Sequence, residues 1–462
     1  MSSGAFRNGS ALVTCTIVLV IVSALAVSLA SISGVNLQIA DNQQEANRAF
    51  ASAESGLEVM RYWLSRVKIP STTEPSQYLS AVIAAAQADL QESAVVNFRV
   101  NTDGSIPVVM LDTTTGQNFR GQWSSTSDPK ILKATIMGAS GGMSRTITVN
   151  FHIEPYHFPI FNYGMATKGP IYFPGNPTLT GATQDWEADI YIESSGSTVA
   201  LQVDGNAKLD GDITIGNPNA LVDFQGDVQI GGDSGQTAVD EHVDTVDDPE
   251  DMPEFPVPDI SHFRPYATGP VINSGIDLSG TTTWTNAVIA AGTNPTFEGN
   301  TTFQGILYIE APNIVTFGGN VTLQGMIVAD GDPANPGTNL ISFGDPNSSK
   351  PSNFASGPYP PGSQFDAIRS EQGSCILAPG FEVAFVKNFS AVNGVIAASG
   401  LSFAWNASAT VNGTLINYSD KPTVVEGNIS MNFDRASMVE IPAGFDLYRV
   451  PIYNPNSYAL AF

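Results

Sequence analysis

Gly299-Asn300-Thr301-Thr302-Phe303-Gln304-Gly305 returns, after one short interval, as Gly319-Asn320-Val321-Thr322-Leu323-Gln324-Gly325. Earlier copies are Gly175-Asn176-Pro177-Thr178-Leu179-Thr180-Gly181 and Gly205-Asn206-Ala207-Lys208-Leu209-Asp210-Gly211. Gly226-Asp227-Val228-Gln229-Ile230-Gly231-Gly232 follows at almost the same interval, with Asp in place of Asn. Val392-Asn393-Gly394-Val395-Ile396 and Val411-Asn412-Gly413-Thr414-Leu415 form a weaker pair with similar spacing. A period of about 20 residues with alternating strands and Gly-Asn corners describes one turn of a right-handed parallel β-helix. Gly175, Asn176, Gly205, Asn206, Gly299, Asn300, Gly319 and Asn320 are the expected rung turns, at positive φ, which both residue types tolerate. The apolar residue inside each repeat, Leu209, Phe303 or Leu323, should point inward and stack from rung to rung. Leucine-rich repeats share the period but need leucines at fixed offsets that are absent here.

Working outward, the repeats divide into a first block, 163–236, and a second, 271–462. Between them lies 237–270, an acidic, proline-rich linker or loop. Its core, Asp240 to Asp259, holds nine acids, four prolines and no Lys or Arg, which favours a solvated, extended chain. A calcium-binding loop is the sharper reading, but no EF-hand ligand spacing is present, and no metal site is expected. Residues 331–373, rich in Pro, Gly, Ser and Asn, read as a loop insertion.

The whole chain carries 44 acids against 19 bases, a formal charge of −25. Such a surface repels phosphate backbones, so nucleic acid is not an expected partner. Cys15 and Cys375 are too far apart in the pattern to pair, so no disulfide is expected. Parallel β-helices often carry polysaccharide-cleaving sites, which need carboxylates converging on one sugar bond. Asp204, Asp210, Asp212, Asp223 and Asp227 lie in neighbouring rungs but beside turns, where Asp serves the backbone. His152, His157, His242 and His262 form no metal or nucleophile spacing. The reading is therefore a chain without catalytic residues or cofactors. Asn300, Asn320, Asn388 and Asn406 head Asn-x-Ser/Thr triplets at turn positions, where a turn role suffices.

Before the repeats, Val95 to Val100, Pro107 to Leu111, Ile131 to Met137 and Ser144 to Ile153 read as strands of a small antiparallel domain over 70–162. The glycines of 138–142 supply one hairpin turn. Upstream of it no charge occurs between Arg7 and Asp41. Ala11 to Ser33 is long enough to cross a bilayer, since about 20 apolar residues span ~30 Å. Phe50, Ala53, Leu57, Met60, Leu64 and Val67 then recur at spacings of three and four, the packing seam of a helix that meets no breaker before Pro70. The expectation is one helix over 10–69, transmembrane first and amphipathic after. Ala24-Leu25-Ala26 could end a secretory signal, but a signal has no reason to continue as a helix. Arg7 before the span favours a cytoplasmic N-terminus and an exported body.

Arg7-Asn8-Gly9-Ser10-Ala11-Leu12-Val13, with the apolar run behind it, resembles the start of a type IV pilin-like protein. Asn47-Arg48-Ala49-Phe50-Ala51-Ser52-Ala53-Glu54-Ser55-Gly56-Leu57-Glu58 is similar to the A-F-x-x-A-E-x-G-L-E segment of PilX-type pilus assembly proteins. The resemblance covers about residues 1–70. It implies a leader, 1–9, cut after Gly9 by a prepilin peptidase, leaving Ser10 as the mature N-terminus. Most major pilins have Glu at the fifth mature position; here it is Thr14, which points to a minor component or assembly factor of a pilus or related secretion filament. Implied partners are other pilin-like subunits and the inner membrane. The β-helix would then serve adhesion, with an extracellular polysaccharide or surface ligand. The alternative is an envelope-tethered polysaccharide lyase or hydrolase.

Overall fold

A computed structural model describes residues 8–344, 347–349, 359, 362–387, 389–404, 408–436 and 438–461. They form two compact units, 1–156 with 448–462, and 157–447. Leader residues 1–7, Asn388, Asn406 and part of the 331–373 insertion lie outside the described residues.

The first unit is built on a single helix, Asn8–Ser65, of 58 residues, about 87 Å long at 1.5 Å per residue. A second helix, Tyr78–Glu92, follows. Six strands make a curled antiparallel sheet in the order Ile69–Pro70, Tyr448–Ala461, Met143–Pro155, Ile131–Ser140, Gln117–Ser125 and Ser105–Asp112. Two differences from the sequence reading have plain causes. Val95 to Val100 is irregular chain leaving the second helix, although Phe98 and Val100 are buried. Gln117–Ser125, rich in polar residues, is a strand because its neighbours pair it on both sides and Phe119 and Trp123 enter the core.

The larger correction concerns the C-terminus, which the sequence reading assigned to the second repeat block. Tyr448–Ala461 instead pairs antiparallel with Met143–Pro155, Arg449 opposite Pro155. Residues 157–447 are thus inserted between two adjacent strands of one sheet.

The second unit is a coil of parallel rungs that the chain enters in mid-body. Met165–Thr167, Ile171–Phe173 and Thr178–Gly181 form the first coil, and pairing proceeds coil by coil through Ile190–Ile192 and Ile213–Ile215 to Val243–Thr245. The chain then crosses the body and starts again at Val271–Ile272. It winds back until Leu415–Asn417, Thr423–Val425 and Ser430–Phe433 pair in parallel with the first coil, Leu415 opposite Met165 and Thr423 opposite Ile171. The two blocks therefore meet along a seam between the first coil of the unit and the last.

Inside, Leu179, Leu209 and Ile230 stack in register, as do Trp284, Phe303 and Leu323. Leu209, Phe303 and Leu323 are all buried. A second stack, Phe297, Phe317, Phe343, Phe385 and Phe403, has ring centroids 5.0–5.2 Å apart. The rung glycines have a different reason from the one expected, since Gly175, Gly205, Gly299 and Gly319 are not at positive φ. A Cβ on Gly205 would sit 2.1 Å from the Gly175 carbonyl oxygen, and one on Gly319 2.3 Å from that of Gly299. The asparagines beside them bond between rungs: Asn206 N–H donates to Asn176 Oδ1 at 2.9 Å, and Asn320 Nδ2 to Asn300 Oδ1 at 3.1 Å.

The acidic segment expected as a linker over 237–270 is not free: its first part is the helix Gln236–His242 and the rung strand Val243–Thr245, paired with Ile213–Ile215, so the first block runs on past 236. Phe255 and Phe263 are buried, and the chain from 255 to 266 covers a third face of the coil. The outward residues of that face, Tyr308, Val328, Leu377, Ala397, Ile416, Ala166 and Tyr191, are buried in register beneath it.

Ending the chain at Tyr163 removes Tyr448–Ala461 from the first unit's sheet, whereas replacing 157–447 by a short hairpin turn keeps it. The excised protein should retain a cooperative unfolding transition for the first unit and the truncated one should lose it, as read by circular dichroism during heating.

Candidate functional site

The helix presents two different surfaces. From Ala11 to Gln44 every residue is exposed, and Leu12, Ile17, Leu19, Val20, Leu25, Leu29 and Ile32 show large apolar side chains to the surroundings. Among the described residues this is the one helix long and apolar enough to cross a membrane. Such a surface is stable in lipid or against other apolar helices and not in water.

From Ala49 onward the helix is docked on the sheet. Ala53, Leu57, Met60, Leu64 and Val67 are buried. Phe50 is not: it is 36% exposed, and Ala49 takes the buried position. The reason is close approach of backbones. A Cβ on Gly138 would lie 2.2 Å from the Ala49 carbonyl oxygen and 2.3 Å from the Ala53 nitrogen. No phenylalanine fits there. Gly56 is equally constrained, because a Cβ would meet Phe119 and Ile136 at 2.7–2.8 Å. Glu45 accepts from Ser140 Oγ at 2.5 Å and from Arg48 at 2.7 Å. Glu54 accepts from Tyr458 Oη at 2.5 Å, which ties the C-terminal strand to the helix. Gly9 and Ser10 lie in the first turn of the same helix.

Residues 8–58 match the PilX N-terminal family. The match supports a type IV pilus-related role, and the PilX-type segment ends inside the docked half of the helix. No curated protein matches the chain in sequence. Among solved structures, the competence-associated pilin ComZ from Thermus thermophilus is similar at 12% identity over 90% of this chain and 97% of that chain, with a TM-score of 0.26. An ice-binding protein from Antarctomyces psychrotrophicus is 10% identical over 60% of this chain and 97% of its own, TM-score 0.15. The DUF3494 domain of an ice-binding protein from Shewanella frigidimarina is 12% identical over 61% and 99%, TM-score 0.20.

Charge is divided sharply between the two units. Residues 157–447 contain 33 acids and 8 bases, whereas the unit bearing the PilX-type helix contains 11 of each. The coil therefore carries the whole −25. Two outward rows of its second block nevertheless bear no charge. One runs Thr296, Thr316, Ser342, Ala384, Ser402, and the other pairs Thr283, Thr302, Thr322 beside Thr285, Gln304, Gln324.

Of the five aspartates weighed as catalytic candidates, four have carboxylates engaged locally and Asp227 is held through its backbone. Asp204 accepts from Tyr172 Oη at 2.5 Å, which holds its carboxyl below the usual range. Asp210 pairs with Lys208 at 3.2 Å, and Asp223 accepts from Gln225 at 2.7 Å. Asp227 N–H donates to Asn206 Oδ1. Asp212 Oδ1 lies 2.7 Å from His242 Nδ1, and Asp233 lies 3.3 Å from its other nitrogen. His262 and His157 face Glu371 and Glu440 at 3.3 and 3.1 Å, and His152 lies 3.1 Å from Asn454.

One substitution and one titration follow from these contacts. Gly138→Leu should displace the helix from the sheet and destabilise the first unit by about 1–3 kcal/mol, the usual range for overpacking, measured by denaturant unfolding. For the coil, the Asp212 hydrogen bond, aided by Asp233, raises the His242 pKa above 6.5. Its stabilisation is complete below the ordinary histidine value and fades as pH rises through the raised one. Burial, with Asp212 alongside, pushes Asp189 up to about 6, so the folded state gains protons and stability as pH falls through that value. The coil should therefore melt at a higher temperature at pH 5.5 than at pH 8, and His242→Asn should shrink that difference.

Proposed function

We propose that this chain is a minor pilin-like component or assembly factor of a type IV pilus or related secretion filament, with the exported coil serving adhesion. The observation that carries the reading is the PilX-type helix whose first half is exposed and apolar while its second half holds a folded domain. The apolar half is retained in the inner membrane before assembly and packs against other pilin-like subunits afterwards, with the N-terminus cytoplasmic. The charge partition favours few copies per filament. A filament made chiefly of this chain would crowd strongly acidic coils against one another, and like charge disfavours that packing.

The coil acts by binding rather than by catalysis. Four of the aspartates weighed for a glycosidase pair have carboxylates engaged with Tyr172, Lys208, Gln225 and His242. The uncharged hydroxyl and amide rows suit a neutral, hydroxyl-rich ligand such as a polysaccharide, which an acidic surface would not repel.

Val20→Arg places a charge in the apolar half at about 2.5–3.5 kcal/mol on insertion scales. Fractionation should find the variant lost from both membranes and filaments, and retention in either would sink the anchoring role. Gly9→Val should leave the leader uncut, which N-terminal sequencing reads directly. For the coil, Thr302→Glu with Thr322→Glu should abolish sedimentation with insoluble neutral polysaccharide while leaving the thermal transition in place. Undiminished binding would remove that face from the reading.

A further inference from the structure

The second unit is one body by contact but two pieces by construction. Its first block, 157–246, and its second, 255–447, meet at the seam, and within the unit a single exposed segment, 247–254, joins them. That segment, Asp247-Asp248-Pro249-Glu250-Asp251-Met252-Pro253-Glu254, is exposed or half-exposed throughout. Local hydrogen bonds shape it: Glu250 N–H donates to Asp248 Oδ1 at 2.9 Å, Asp251 N–H to Asp248 O at 2.9 Å and Met252 N–H to Pro249 O at 3.4 Å.

Beyond it the crossing chain is fastened to the second block. Tyr418 Oη donates to Pro256 O at 2.5 Å, Asp259 N–H to Gly444 O at 2.9 Å, and Arg264 to Glu310 at 3.0 Å. Tyr359 Oη donates to Tyr266 O at 3.2 Å. Phe255 also stands against Tyr191 of the first block, ring centroids 5.9 Å apart, and so adds to the contact between blocks. Pulling on 255–266 therefore loads the second block, and the segment 247–254 is the joint.

The seam itself is made as an interface between separate bodies is made. Three parallel ladders close it. In its core lies a fully buried polar knot: Asn417 Nδ2 donates to Thr423 Oγ1 at 2.9 Å and to Thr167 Oγ1 at 3.3 Å, and Thr423 Oγ1 donates to Thr167 Oγ1 at 3.2 Å. A buried, satisfied polar cluster punishes any other register, because slippage would leave these groups without partners. At its rim, Arg435 donates to the carbonyls of Phe161 and Asn162 at 2.6 Å. Glu187 accepts N–H groups of Thr183 and Gln184 from its own block and of Arg435 and Ala436 from the other. Burial alone would raise the Glu187 carboxyl, but those N–H donors hold it below its ordinary range.

We propose that the coil is a two-piece solenoid: once it has folded, covalent continuity across 247–254 is dispensable, because the seam keeps the blocks in register while the pairing of Tyr448–Ala461 with Met143–Pro155 retains the second fragment on the first unit. Hydrolysis there adds one water across a peptide bond and leaves a new carboxylate and a new amine, both in solvent, so nothing buried is disturbed. An exported protein built this way survives a cut at its most accessible acidic turn.

The test uses the full chain in detergent with a site-specific protease sequence replacing 247–254, cut only after the protein has folded. The uncut variant is the control, so failure to fold is not at issue. Denaturing gels should show two fragments, and gel filtration should show one species at the position of the uncut protein. Amide hydrogen exchange at 165–167 and 415–417 should stay within about threefold of the control. Fragments eluting apart, or seam amides exchanging at unprotected rates, would overturn the proposal. Asn417→Leu, added to the cut protein, should raise seam exchange at least tenfold, and an unchanged rate would show that the polar knot does not set the register.

Discussion

The pairing of Leu415, Ile416 and Asn417 with Met165, Ala166 and Thr167 is the contact on which the coil depends. A rung buries its inner face only against the rungs beside it. Without this ladder, each block would expose one open end, the first at Ile171 and Leu179 and the second at Val425 and Met431, all buried in the assembled coil. The joined body has two free ends, and its first coil lies in the interior, flanked on both sides. Loop-closure entropy grows only slowly with length. A contact between the first and last coils of the unit therefore costs little more than a shorter closure, and a full set of ladders with a polar knot offsets it.

The same stacking rule explains what sequence can and cannot say about the coil. The Gly-Asn repeats are legible because each glycine faces the carbonyl of the glycine one rung away, a constraint that returns with every rung. Their cause is not legible, since a glycine kept for a missing Cβ looks the same in sequence as one kept for positive φ. The phenylalanine stack also leaves a mark: Thr-Phe-x-x-Asn at 296–300 and 316–320, and Ser-Phe-x-x-Asn at 402–406. The order of coils has no such mark. Nothing local in Met165-Ala166-Thr167 names Leu415 as its neighbour, because every rung offers the same edge.

In the first unit the helix is legible and its docking only in part. Spacing identifies Ala53, Leu57, Met60, Leu64 and Val67, which face an apolar core. Phe50 satisfies the same spacing, but the place where Gly138 brings the sheet against the helix backbone goes to Ala49 instead, and hydrophobicity is then the wrong criterion. Size decides there. Tyr448–Ala461 is hidden for a related reason: its partner strand ends at Pro155, and sequence adjacency assigns it to the repeats that precede it. The candidate interaction faces are less visible still, since an uncharged row on a coil is defined by register between rungs rather than by any run of residues.

Insertion of the coil between Pro155 and Arg449 has a mechanical consequence. Both connections leave from the same end of two neighbouring antiparallel strands, with Arg449 directly opposite Pro155. A pull on the coil along those strands drags both in one direction, while the remaining strands and the helix resist. The backbone hydrogen bonds between Met143–Pro155 and Ile131–Ser140 are then loaded together in shear, not opened one after another as in a peeled hairpin. The coil is thereby attached through the stronger of the two ways a sheet can be pulled.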